Sequence, residues 1–254
     1  MNLLIKLENI SLDQRLDNIS VTIMQPGIAC LLGANGAGKS TLLLVLAGLL
    51  KPEQGDVFWG QTDVYATPLA VLSGHRCFVA QQHSIQFELT GRECLQFLSP
   101  CQSRDIPGEL IRKLDIADLL DKPVSRMSGG ELQRIMISRA LLQVWPAIKS
   151  GNAIIVLDEP LQGVDIRHQT VLMQWLSALA KVGNQIIMSC HDINIANTFA
   201  DTVLLAKAGQ MLAYGPTRDV LSLSNLWLTF DCQFECLFKD EQRHFIPVRH
   251  ATGF

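Results

Sequence analysis

The rhythm of apolar and polar positions changes along the chain. Over the first thirty residues apolar and polar positions alternate, the mark of strands with one buried face, and turns are predicted at Asp17-Asn18 and Pro26-Gly27. "IACLL" is a short apolar run that feeds straight into a glycine-rich loop. From Lys39 the period lengthens: Leu42, Leu43, Leu46, Leu49 and Leu50 recur at helical spacing, and Pro52 is expected to end that helix. "GDVFWG" reads as a hairpin element. Between Gln82 and Trp145 the segments "GRECLQFL", "GELIRKL" and "IADLLD" are helix-like, with no convincing strand. From Ala153 the alternation of strand and helix resumes. "AIIVLDEP" and "QIIMSCHD" are β-branched runs ending in polar residues, as buried parallel strands do. Two further strands are expected at Thr202 to Leu205 and Gln210 to Tyr214. A terminal hairpin follows from "FECLF", a "KDEQ" turn and "HFIPV", with Pro247 restricting the last strand to an edge.

The pattern predicts an α/β fold organised as a single domain. Residues 1–81 and 146–222 make the core with its N-terminal antiparallel β elements, residues 82–145 an inserted helical subdomain, and residues 223–254 a short C-terminal hairpin tail. A length of 254 residues suits that organisation. Composition narrows the partners. Net charge is −3, basic residues are scattered, and no field invites nucleic acid or an anionic membrane surface. The longest apolar run, Leu42 to Leu50, is about half of what a bilayer span needs. The N-terminus carries Lys6 and Glu8 within its apolar stretch and reads as a strand rather than a signal peptide. Seven cysteines lack zinc-like spacing and are expected to be free thiols in a reducing cytoplasm.

The chemistry begins at "GANGAGKS". Gly33, Ala34, Asn35, Gly36, Ala37, Gly38, Lys39 and Ser40, with Thr41 behind them, fit G-x-x-x-x-G-K-[ST] between a strand and a helix. Backbone N–H groups would close around phosphate oxygens, Lys39 would reach the β- and γ-phosphates, and Ser40 would ligate Mg²⁺. The loop alone leaves kinases, GTPases and helicases open, although no N-K-x-D-like guanine-reading tetrad follows. Asp158 and Glu159 end the "IIVL" strand, where ligand crevices of open parallel sheets lie. Asp158 is the candidate Mg²⁺ partner and Glu159 the candidate general base. His191 ends the next strand, positioned for the γ-phosphate and the attacking water. Gln81 follows "CFVA" and can ligate Mg²⁺ and position water, with Gln82 beside it leaving the register open. A second anion-binding turn, Ser128-Gly129-Gly130-Glu131, precedes a helix.

Taken in order, Gly33 to Ser40, Gln81, "SGGE" at Ser128 to Glu131, Asp158-Glu159, Asp165 and His191 resemble the ATP-binding cassette family of phosphate-loop ATPases. The resemblance runs from Leu3 to about Leu221. It implies ATP as substrate, Mg²⁺, and a head-to-tail homodimer in which the Ser128 turn of one copy closes over the nucleotide held by Lys39 of the other. Asp165 in "LQGVD" resembles the aspartate of the loop crossing that interface. Met127 and Glu131 depart mildly from the usual signature, and Ile10 to Arg15 offers no aromatic where the family often stacks adenine. Arg15 is the candidate substitute, through its guanidinium plane. One cassette without coiled-coil insertions or a basic linker is similar to transport subunits rather than to repair or translation ATPases. The short tail is similar to importers for ferric siderophores, haem and cobalamin. The extended connection "LLQVWPAIKSGNAIIVLDEP" and the start "QRLDNIS" are similar to the vitamin B12 branch. The resemblance implies an integral membrane permease dimer as partner, reached at the cytoplasmic face of the inner membrane, and indirectly a periplasmic substrate-binding protein. Gln82 to Phe97, with Arg92 and Glu93, are the candidate permease contacts.

Overall fold

The computed structural model describes residues 4–24, 26–81, 88–97, 105–239 and 242–248. The candidate contacts at positions 82–87, Gln82 included, lie outside the described residues. The chain opens with β1 (Ile5–Leu12), β2 (Leu16–Ile23) and β3 (Gly27–Leu32), then α1 (Lys39–Leu46), β4 (Gln54–Trp59), β5 (Thr62–Asp63), α2 (Leu69–Leu72) and β6 (Arg76–Val79). Helices α3 (Gly91–Gln96), α4 (Gly108–Leu114), α5 (Gly129–Gln143) and α6 (Trp145–Lys149) follow, with 3₁₀ turns at Ala117–Leu119 and Val124–Arg126. Then come β7 (Ile154–Leu157), α7 (Ile166–Lys181), β8 (Gln185–Ser189), α8 (Ile193–Phe199), β9 (Thr202–Lys207) and β10 (Gln210–Pro216). The chain closes with α9 (Thr217–Val220), α10 (Leu223–Phe230), β11 (Phe234–Lys239) and β12 (Gln242–Pro247).

The central sheet has the order β10-β9-β3-β8-β7-β6, parallel except for β10. Its inner strands β3, β7 and β8 are buried along their whole length, which explains their unbroken apolar runs. Strand alternation divides the core in two. Ile28, Cys30 and Leu32 face the layer that contains the α3–α5 helices and α7, whereas Ala29 and Leu31 face α1 and the antiparallel sheet β2-β1-β4-β5. Among the described residues the terminal hairpin β11-β12 forms a two-stranded sheet of its own, and Pro247 ends its last strand. The described cysteines are free, with Cys30, Cys77, Cys94 and Cys190 buried.

Two local expectations are corrected. The first hairpin turns at Asp13-Gln14 (φ 36° and 56°), closed by the Arg15 amide donating to Leu12 O at 2.8 Å. Two consecutive positive φ values suit the right-handed twist of the flanking strands. Asp17 and Asn18 lie inside β2, where Asn18 and its counterpart Asn9 adopt positive φ at irregularities in the pairing. Their amides donate to Ser11 and Ser20 hydroxyls, which takes up the ladder bonds those irregularities break. The helix that starts at Lys39 stops at Leu46, well before Pro52. Gly48 enters the left-handed region (φ 68°) with its amide on Val45 O, a glycine C-terminal stop that overrode the leucine periodicity.

Candidate functional site

Four neighbouring strands, β3, β8, β7 and β6, point the same way, so the residues that follow them gather along one sheet edge. The glycine loop follows β3, His191 follows β8, Asp158-Glu159 follow β7, and Gln81 follows β6. The ladder extends into the site. The Asp158 amide donates to Val79 O at 2.8 Å and the Cys190 amide to Leu31 O at 3.2 Å.

A cavity of about 510 Å³ is lined by Asn35, Gly36, Gly38, Lys39, Ser40 and Thr41 of the loop, by Gln14 and Arg15 of the first hairpin, and by Gln81 and Glu159. The loop backbone cannot tolerate side chains where it leans on the hairpin. At Gly38 (φ 91°) a Cβ would fall 2.6 Å from Arg15 O. The Lys39 ammonium donates to Gly33 O (2.9 Å) and Ala34 O (3.1 Å), so the loop's own carbonyls aim it. Burial lowers the Lys39 pKa, and the nearby Glu159 and Asp158 charges act the other way.

The carboxylates have distinct surroundings. Asp158 is 3% exposed, and its Oδ1 accepts the Ser189 hydroxyl at 2.6 Å. That same Ser189 oxygen accepts the Glu159 backbone amide at 2.8 Å. Glu159 holds φ at +48°, a left-handed conformation that a glutamate adopts at a cost of order 1 kcal/mol. The kink lifts its side chain toward the cavity. There Gln81 Nε2 donates to Oε2 at 2.9 Å, and His191 Nε2 lies 2.5 Å from Oε1. Glu159 is buried while the His191 ring is half exposed. His191 also borders a smaller cavity of about 200 Å³ with Gln162, Gln169 and Asp192. Beside it, burial pushes the Cys190 thiol up to about 11, so it stays protonated.

The second anion-binding turn is built separately. Ser128 caps α5, with its hydroxyl accepting the Glu131 amide (3.2 Å) and the Glu131 carboxylate accepting the Ser128 amide (2.7 Å). Lys122 closes on the same carboxylate at 2.7 Å. Glu131 therefore braces the turn with its carboxylate already engaged. Gly130 packs against the chain ahead of α7, where a Cβ would fall 2.5 Å from Gly163 O. Asp165 caps α7, accepting the His168 amide at 3.1 Å. Ser128, Gly129, Gly130, Glu131 and Asp165 line neither cavity. The loop, Gln81 and Glu159 are thus brought together, His191 joins them through Glu159, and the signature turn and Asp165 stand apart. Among the candidate permease contacts, Arg92 pairs with Asp121 at 3.3 Å and Glu93 caps α3 through Thr90.

Residue reasoning missed Ser189, His168 and Gln14. For Ser189 a signal existed: a hydroxyl at the end of an otherwise apolar buried strand needs a partner, and the neighbouring strand ends in Asp158.

Residues 16–162 match the ABC transporter family. The vitamin B12 import ATP-binding protein BtuD of Yersinia enterocolitica is 35% identical over 243 residues, covering 92% of this chain and 94% of that protein. The hemin import ATP-binding protein HmuV of Bordetella pertussis is 33% identical over 231 residues, covering 87% and 88%. Among solved structures, a metal-chelate type ABC transporter in an inward-facing conformation matches with TM-score 0.78 at 25% identity, covering 98% of each chain. A dimeric bacterial ABC transporter cassette matches with TM-score 0.71 at 25% identity, covering 84% of this chain and 99% of that one.

Proposed function

The chain belongs to the ABC transporter family, whose cassettes bind ATP, and from that premise we propose that it is the ATP-hydrolysing subunit of a vitamin B12 importer. The Gly33 to Ser40 loop is its Walker A, holding the triphosphate with Lys39 and the loop amides. Glu159 is the general base that poises water, and Gln81 and His191 hold its carboxylate from either side. A general base of this kind contributes roughly 10²–10⁴-fold. The observation that carries the hydrolytic reading is this three-residue constellation, Gln81–Glu159–His191, at the mouth of the loop cavity.

The residues also fit Mg²⁺. Gln81 spends its amide N–H on Glu159, which leaves its carbonyl for a cation, and Asp158 and the Ser40 hydroxyl are the other oxygen donors that would hold it. When bound, the ion neutralises charge on the transferring phosphoryl group.

Two copies complete the site. One chain separates the loop cavity from the Ser128 turn and Asp165, so a head-to-tail homodimer supplies the missing half from the partner; a matched cassette structure is itself dimeric. Closure and opening of that dimer move the helical insertion, residues 82–145, against a permease dimer. No helix among the described residues is long and apolar enough to cross a membrane, which fits attachment to the cytoplasmic face of the inner membrane through the permease. A periplasmic substrate-binding protein would deliver the cargo. Vitamin B12 rests on near-full-length likeness to BtuD proteins; haem is the second reading, favoured by the HmuV match. Reconstitution with the candidate permease and binding protein separates them. Labelled cobalamin is expected to accumulate with ATP and Glu159→Gln to stop it, whereas uptake of haem and not cobalamin would overturn the cargo assignment.

A further inference from the structure

A second constellation lies outside the cavities and joins Asp165 to α5, the helix that the Ser128 turn starts. His168 stands in the first turn of α7. Its Nδ1 is 2.5 Å from Asp165 Oδ2, and its Nε2 is 3.1 Å from Asp115 Oδ2 and 3.0 Å from Arg134 Nη1. Asp115 ends α4 in a left-handed cap (φ 50°). Arg134 lies on α5, the helix that Ser128 starts, and also donates to the carbonyls of Leu114 (3.1 Å) and Asp115 (2.6 Å). Arg167 adds positive charge near Asp115. The His168 and Arg134 side chains are mostly buried, and both carboxylates are exposed.

No single protonation state satisfies all three partners. An imidazolium donates to Asp165 and Asp115 and turns an N–H toward Arg134. A neutral ring with its proton on Nδ1 donates to Asp165, accepts from Arg134, and gives up Asp115. Asp165 is held in both states, and only the other anchor changes. Both anchors belong to the helical unit that carries the signature turn.

We propose that His168 is a positioning residue for hydrolysis, fixing the Asp165 loop to the α4–α5 unit so that Asp165 and Ser128 meet the partner's nucleotide as one rigid edge. The inference rests on the two-copy reading above. The close approach of Gly130 to Gly163 gives the same edge a second contact.

In the reconstituted complex, His168→Ala is expected to lower ATP turnover about tenfold, the worth of one charge-assisted hydrogen bond, with ATP affinity of the loop unchanged. Asp115→Asn, at an exposed position, is expected to lose less, and the double variant to be no worse than His168→Ala. His168→Gln, which keeps a side-chain donor and acceptor, is expected to recover part of the turnover lost in His168→Ala, with the loss in both variants falling on kcat and not on KM for ATP. A merely structural role would lower Tm and bring no such recovery. Unchanged turnover, or additive losses for His168→Ala and Asp115→Asn, would overturn the proposal. Lys39→Ala is the control: if it leaves turnover intact, the hydrolytic reading beneath has failed, independently of His168.

Discussion

Arg15 follows the Asp13-Gln14 turn, and its backbone carbonyl rests against the Gly38 stretch of the phosphate loop. The Asp17 amide ties the same strand to Gly209 O at 2.8 Å, so the hairpin is fixed relative to the loop. That leaves the Arg15 side chain on the cavity wall with Gln14, where no aromatic ring stands. A guanidinium plane over the base stabilises it by stacking and cation–π attraction, on the order of 0.5–2 kcal/mol. Arg15→Ala is therefore expected to weaken ATP binding about 2- to 30-fold. Arg15→Tyr is expected to restore it, and inorganic triphosphate, which has no base, to bind both proteins alike. Equal losses for ATP and triphosphate in a titration would mean that Arg15 acts as a plain positive charge. The residues were legible to different depths for physical reasons. The placement of Lys39, Glu159 and His191 near one another could be read because each stands just after a strand of the parallel sheet. Ser189 could not, because its role, donating its hydroxyl to Asp158 while the same oxygen accepts the Glu159 backbone amide, exists only once β7 and β8 are neighbours.

At the scale of elements, the Ser128 cap shows how a short motif shapes a helix start and can be tested by acid. Lys122 and the Ser128 amide hold the Glu131 carboxyl below the ordinary carboxylate range. A depressed acid stabilises the fold above its unfolded pKa, and that contribution is lost as pH falls through the folded value. For Glu131 the contribution is present at neutral pH and disappears below the usual glutamate titration at about pH 4.3. Glu131→Gln keeps an acceptor for the cap but removes the charge. Because the pair is partly exposed, it is expected to cost about 1 kcal/mol at pH 7 and to flatten the fall toward pH 3.5, read by denaturant unfolding. An equal loss at both pH values would assign the effect to packing. Element types followed from periodicity, as in the buried strands β3, β7 and β8, whereas element ends did not. The leucine spacing of α1 continues past Leu46, yet Gly48 stops the helix. The first hairpin turns where two positive-φ residues fit, although Asn18 looked the better turn former.

At the scale of the whole molecule, the proposed sharing of each site between two copies has a consequence that a single chain cannot imitate. Let one preparation carry Lys39→Ala and another Ser128→Arg. Each alone is expected to be inactive, since every composite site in either homodimer lacks one half. Mixed and re-equilibrated, they form heterodimers with one doubly damaged site and one intact site, the latter pairing Lys39 of one copy with Ser128 of the other. With random exchange and independent sites, about a quarter of wild-type turnover returns: half the dimers are mixed, and each has one working site. Should the two sites fire only together, turnover stays low, but the same mixture in a Glu159→Gln background still traps one ATP per heterodimer. If instead each chain uses its own Ser128 turn on its own nucleotide, mixing restores neither turnover nor trapping, because every chain then carries one lesion in its only site. The cavity favours the first outcome: it joins the loop to Gln81 and Glu159 from the ends of β3, β6 and β7 and leaves Ser128 and Asp165 outside it.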